Sequence, residues 1–328
     1  MSNDALRRGD VVEVKSAAEI LATLDAGGRI AGLPFMPEMA QYCGRRFTVV
    51  ARADKVCDTI KYTGSRRLHE SVILDMPRCD GGGHDGCQAQ CRMFWKEDWL
   101  RKVATDAPLA VPASDGPALA TLLALLTSQV SHTAEVNGKA EARWMCQNTE
   151  LYGATERLRT FDPRPYLNEY ANGNVSLGRC LSVTARAAIE EPMHKLKLGR
   201  PFITGTATGP VSEVLDLQPG EWVRVRDKDE IAATLTPDGH NRGLWFDREM
   251  MRYCGGTYRV RQRITRFIDD FRTPGKMIKM TKNSAVTLED VVCTGNFSAH
   301  RWFCPRQVMP YWRECWLRRA DGPPAGGP

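Results

Sequence analysis

One stretch of this chain occurs twice. The run from Gly9 to Arg52 reads onto the run from Gly220 to Arg263 at a fixed offset of 211 with no gap, and 19 of the 44 aligned positions are identical. Unrelated segments of average composition would match at roughly one position in sixteen. The shared blocks include Glu19-Ile20 with Glu230-Ile231, Gly32-Leu33-x-Phe35 with Gly243-Leu244-x-Phe246, and Glu38-Met39-x-x-Tyr42-Cys43-Gly44 with Glu249-Met250-x-x-Tyr253-Cys254-Gly255. Beyond them the loops differ in length, yet both copies close alike. Trp95-x-x-x-Trp99-Leu100-Arg101 answers Trp312-x-x-x-Trp316-Leu317-Arg318. A fold for this chain must therefore be a small unit that the sequence can build twice.

Within one copy the pattern alternates at Val12 and Val14, runs into a short helix around Glu19–Leu24, and passes a glycine-rich turn. A second short helix near Pro37–Tyr42 stops at Gly44, a favoured C-terminal helix residue. Strands are expected over Phe47–Ala53 and Ser71–Met76. Several short strands in a unit of this size predict an α+β fold made of two duplicated, small SH3-like β-barrel modules with short helical insertions. The expected boundaries are 8–102 for the first module, 103–218 for a helical middle segment, 219–319 for the second module and 320–328 for a disordered tail. In the middle, Ala118–Val130, Ala140–Thr160 and Leu177–Glu191 read as helices.

With 42% apolar and 26% charged residues the 328-residue chain can fill ordinary cores. It has no apolar run long enough to span a bilayer and no apolar leader after Met1, so a cytoplasmic location off the membrane is expected. In a reducing compartment its 11 cysteines point to metal or redox chemistry rather than a disulfide framework.

Four of them crowd the first module: Cys57, then Cys79, Cys87 and Cys91 in the run Arg78-Cys-Asp-Gly-Gly-Gly-His-Asp-Gly-Cys87-Gln-Ala-Gln-Cys91. Glycines let backbone wrap closely around a bulky group, and thiolates select zinc or iron–sulfur clusters over hard cations. Cys87 and Cys91, four apart, would share a face at the start of a helix. No Cys-x-x-Cys knuckle of the structural zinc kind occurs, so an iron–sulfur cluster is favoured over zinc. His84 and Cys146 are further candidate ligands. The second copy places Cys293 and Cys304 opposite Cys79 and Cys87 but Ile268 and Val308 opposite Cys57 and Cys91, so it is expected to hold no such centre. Cys43 and Cys254, present in both copies, read as packing residues.

Arg259, Arg261 and Arg263 alternate along a strand of the second copy, and period-two arginines on one face could meet an anionic substrate or a nucleic-acid backbone. Aromatics interleaved for base stacking are absent there, which disfavours nucleic acid. There is no dinucleotide fingerprint, phosphate-binding loop, zinc-protease helix or nucleophile elbow.

The blocks Gly32-Leu-Pro-Phe-Met-Pro-Glu-Met39, Gln41-Tyr-Cys-Gly44, Arg78-Cys-Asp-Gly81, Phe94-Trp-Lys96, Phe303-Cys-Pro-Arg306 and Tyr311-Trp-Arg-Glu314 resemble an uncharacterised bacterial family of duplicated cysteine-bearing modules. Its members are often encoded among polysaccharide or specialised-metabolite genes, and the resemblance implies a biosynthetic role. The expectation is a metal-binding protein, either an enzyme using its centre as Lewis acid or electron carrier, or a nucleic-acid or protein binding module with a structural zinc.

Overall fold

A computed structural model describes residues 5–104, 116–159, 162–195, 202–280, 285–298 and 301–323. Helices and strands are mixed, and the chain divides into two compact units. The first comprises Met1–Ser182, Phe267–Ile278 and His300–Arg306, and the second Val183–Arg266, Lys279–Ala299 and Gln307–Pro328. Among the described residues no helix is long and apolar enough to cross a membrane.

The first unit is built on a five-stranded antiparallel sheet in the order Trp95–Lys96, Ser71–Leu74, Arg46–Arg52, Val11–Val14, Leu100–Lys102. The two edge strands are separated in sequence only by the 3-10 turn Glu97–Trp99. Four residue steps from Lys96 to Leu100 reach at most about 14 Å. Five strands laid flat would hold their edges about 19 Å apart. The sheet is therefore rolled.

It does not close, however. Among the described residues no pairing joins the two edges, and the closed barrel expected from the sequence is replaced by a rolled open sheet. The reason is local: edge strands of two and three residues, joined by a 3-10 turn, leave no ladder to complete.

The second unit carries a sheet in the corresponding order, Trp312–Arg313, Ala285–Leu288, Thr257–Ile264, Trp222–Val225, Leu317–Arg319. Both long strands slip register at the aligned position, between Val49 and Ala51 and between Val260 and Gln262. Each core is centred on a phenylalanine set edge-on against two tryptophans. Ring centroids lie 5.8 and 5.0 Å apart for Phe35 with Trp95 and Trp99, and 6.1 and 5.3 Å for Phe246 with Trp312 and Trp316. Such edge-to-face pairs add to the area they bury. The short helix after the first strand starts alike in both units. Ser16 N donates to Glu19 Oε2 at 3.1 Å and Asp227 N to Glu230 Oε2 at 3.1 Å, the reciprocal half of a capping box.

The middle segment is less helical than its composition suggests. Gly116–Gln129, Arg164–Ala171 and Leu177–Lys195 are helices. The expected helix over 140–160 is instead a hairpin, Ser131–Val136 against Lys139–Trp144, followed by the single helical turn Gln147–Glu150. Asn137 and Gly138 turn it with φ of 52° and 72°, the left-handed pair that a two-residue hairpin turn demands. Residues 324–328 of the expected tail lie outside the described residues.

Candidate metal centre

Cys57, Cys79, Cys87, Cys91, Cys146 and Cys304 all belong to the first unit. The glycine-rich run folds as a tight loop rather than leading into a helix. His84 N and Gly86 N both donate to Gly81 O, Cys87 N donates to His84 O, and Cys79 N donates to Cys91 O. Gly81 sits at φ 71°, and a Cβ there would stand 2.1 Å from the carbonyl oxygen of Cys87. Only glycine fits that contact. Cys87 and Cys91 are consequently set by loop geometry, with Gln90 between them at φ 49°, and not by a shared helical face.

The loop is pinned to the module by an ion pair. Glu38 Oε1 accepts from Gly83 N at 3.0 Å and lies 2.6 Å from His84 Nδ1, while His84 Nε2 lies 3.0 Å from Met145 O. Burial alone would lower the His84 pKa, but the hydrogen bond and charge of Glu38 outweigh it and raise the pKa. Burial likewise acts to raise Glu38, and the hydrogen bond to His84 reverses the sign. Both ring nitrogens face acceptors, so His84 is a doubly donating imidazolium. With neither lone pair free it is no metal ligand, and being 1% exposed it is not a solvated loop residue either.

A second anchor comes from the turn after the hairpin. Gln147 Nε2 donates to Phe94 O and Pro34 O, and its Oε1 accepts from Phe94 N at 2.8 Å. This clamp holds Cys146 and Asn148 beside the loop, where Asn148 Nδ2 donates to Cys91 Sγ at 2.7 Å. Cys79, Cys87, Cys91 and Cys146 then sit close enough to act on one another. Burial raises all four pKa values. Cys91 and Cys146 raise Cys79 further, Cys146 and Cys87 raise Cys91, and Cys146, beside Cys87, is pushed up to about 12.

Cys57, the remaining candidate, stands in a different arrangement. Its N–H donates to Cys304 Sγ at 3.2 Å. The thiol hydrogen bond from Cys304, with the charges of Arg306 and Arg301, lowers Cys57 to about 6 against the opposing effect of burial. Burial and the neighbouring Cys57 raise Cys304. Arg306 is buried, and its Nη1 donates to Cys57 O at 2.9 Å and to Thr59 Oγ1 at 3.1 Å. Asp270 takes a 2.6 Å hydrogen bond from Thr59 and lies 3.9 Å from Arg306.

The two copies cross over here. Cys57 N donates to the sulfur of Cys304, and Ile268 N, at the position aligned with Cys57, donates to the sulfur of Cys87 at 3.4 Å. Cys304 and Arg306 were not legible as site residues in the sequence, although Phe303-Cys-Pro-Arg306 marks them as an unusual block. Cys293 behaves as aligned: its N–H donates to Val308 O as Cys79 N does to Cys91 O.

Among the described residues no three Cys, His, Asp or Glu side chains form a group that could hold one metal ion. Zinc–sulfur bonds of about 2.3 Å require tetrahedral sulfurs about 3.8 Å apart. The thiols as arranged do not fit that closed mononuclear site. A cluster spreads its thiolates around several irons and tolerates the wider spacing.

The arginines expected to share a face in the second unit do not. The register slip falls at Arg261 and breaks the period-two alternation. Arg259 Nε donates to Gly220 O, and Arg263 pairs with Asp216 at 2.8 Å and Glu314 at 3.4 Å. Arg261 is exposed.

Comparison with protein-family models and with curated proteins finds no match.

Proposed function

We propose that the chain is a metal-binding protein of biosynthetic metabolism whose first unit holds an iron–sulfur cluster on Cys79, Cys87, Cys91 and Cys146. One observation carries this reading. Amide N–H groups are aimed at the sulfurs of Cys87 and Cys91. A neutral thiol is a weak acceptor, whereas a thiolate is a strong one. Burial nevertheless opposes ionisation of Cys79, Cys87, Cys91 and Cys146. Donors placed for thiolates in surroundings that disfavour them are reconciled by a bound cation, which deprotonates a coordinating thiol. Hydrogen bonds to sulfur are also one of the means by which a protein sets a cluster's potential.

The cluster would supply electron transfer, and Asn148 and the Ile268 amide would orient and tune its ligands. Zinc is the alternative metal. The two sheets are best understood as copies of one duplicated SH3-like module, a reading supported by the repeat and by the shared strand order.

The test is anaerobic reconstitution with ferrous iron and sulfide, or with zinc, of single variants. Cys91→Ser and Cys146→Ser are expected to lose the metal, while Cys57→Ser and Cys254→Ser retain it. Retention by Cys146→Ser together with loss by Cys57→Ser would assign the ligands to the wrong set.

A further inference from the structure

The first unit holds two adjoining cavities that the thiol site does not use. One, of about 310 Å3, is lined by Arg52, Asp54, Arg67, His69, Glu70, Arg164, Pro165, Asn168, Glu169 and Asn172. The other, of about 330 Å3, is lined by Arg67, Glu156, Arg157, Arg159, Asp162 and Arg164. Arg67 and Arg164 belong to both linings, so the two spaces meet. Each is of the size that holds a small metabolite.

The two halves differ in chemistry. In the second, Asp162 neutralises Arg164 through hydrogen bonds of 2.9 Å to Nε and Nη2. The side chains of Arg67, Arg157 and Arg159 make no hydrogen bond or ion pair among the described residues, and Glu156 is turned to His69 at 3.2 Å. Four arginines thus face this cavity against two carboxylates, Glu156 and Asp162, the latter also acting on Arg67, and the excess positive charge is offset when an anion joins them. A phosphate monoester, carrying close to two charges and three acceptor oxygens, offsets more of that charge than one carboxylate can.

The first half is rich in acceptors. Asn172 is only 4% exposed, and its Oδ1 is buried with no hydrogen-bond partner. A buried acceptor left unpaired costs about 1–3 kcal/mol. A ligand hydroxyl would satisfy it, and the Asp54, Glu70 and Asn168 side chains around the same cavity offer more acceptors of the same kind. Arg52 and Glu169, also on this wall, are already held, by Asp54 and Glu97 and by Lys55 and Asn174 respectively. They stiffen the wall rather than await a partner.

We propose that these joined cavities bind a small polyhydroxylated phosphate ester, its phosphate among Arg67, Arg157 and Arg159 and its hydroxyls towards Asn172. The site is independent of the thiol centre and stands or falls separately from it.

The experiment is a 31P NMR titration of the full chain at low ionic strength with inorganic phosphate, ribose 5-phosphate and glucose 6-phosphate. All three are expected to bind saturably, with at least one ester binding about tenfold more tightly than phosphate. Arg67→Gln with Arg159→Gln, the first half-buried and the second exposed, should weaken all three about tenfold or more while circular dichroism and thermal unfolding stay as in the parent chain. Asn172→Leu should erase the advantage of the ester and leave phosphate binding in place. Affinities unchanged by the arginine pair would overturn the site. Esters that bind no better than inorganic phosphate, or an advantage that survives Asn172→Leu, would overturn the ligand class.

Discussion

The two units solve one packing problem with the same residues and then diverge at a single buried carboxylate. Glu38 and Glu249 occupy aligned positions and are both almost fully buried. Glu249 is satisfied by neutral donors: the N–H groups of Asn296, Phe297 and Ser298 and the hydroxyl of Thr294. Glu38 takes one amide, from Gly83, and the His84 imidazolium. In both units the carboxylate gathers a loop against the helix. In the second the loop is held by its own backbone. In the first a charged side chain does this, which leaves the loop backbone available to present Cys79, Cys87 and Cys91. The anchor is common to both units, and what it holds differs.

The comparison predicts equal costs where the units agree. Phe35→Ala and Phe246→Ala each remove a fully buried ring from between two tryptophans and should each destabilise the unit they belong to by about 3–5 kcal/mol. Denaturant titrations in which one costs more than twice the other would break the equivalence of the two cores.

The costs should separate at the carboxylate. Glu38→Gln leaves a buried imidazolium unpaired and should cost about 3 kcal/mol near pH 5.5. Glu249→Gln leaves no buried cation unpaired, since its donors are neutral, and should cost less, about 1–2 kcal/mol. The pH dependence gives the sharper contrast. Glu38 is lowered from 4.5, so its contribution is present above that value and is lost as pH falls through the folded pKa. His84 is raised from 6.5, so its contribution is present below that value and is lost as pH rises through the folded pKa. The pair therefore stabilises most fully between pH 4.5 and 6.5. Glu38→Gln should flatten that window in a stability-versus-pH series.

The smallest effect is expected at the cysteines common to both units. Cys43→Ser and Cys254→Ser exchange half-buried thiols outside the cysteine group and should cost about 1 kcal/mol each, with no change in metal content. Metal loss from either would place a ligand where the geometry has none.

Much of this architecture can be read from the residues. The repeat foretells two sheets of one design, whereas the helix expected over Glu19–Leu24 spans Ala17–Leu21 and the one expected to stop at Gly44 ends at Ala40. The hairpin is signalled by Asn137-Gly138, a pair suited to a two-residue turn, but the apolar spacing around it imitates a helix. The candidate site was half legible. Cysteine clustering and glycine content indicate the loop, because both are local. The partners of Cys57 are not local: Cys304 and Arg306 reach it over a sequence separation of 247 and 249 residues. His84 misled for a related reason. Whether a histidine is ligand or cation depends on what meets its second nitrogen, here Met145 O, 61 positions away.

The measurement that bears most directly on this account is metal and acid-labile sulfide analysis of the full chain purified without oxygen, taken with its visible absorption spectrum. The account predicts a brown protein that absorbs broadly in the visible, with iron and sulfide in stoichiometric amounts. Colourless protein with about one zinc would keep a thiolate centre and replace the cluster by a structural ion. Metal-free protein, with the thiols of Cys79, Cys87, Cys91 and Cys146 all free to titrate on unfolding, would contradict the centre outright.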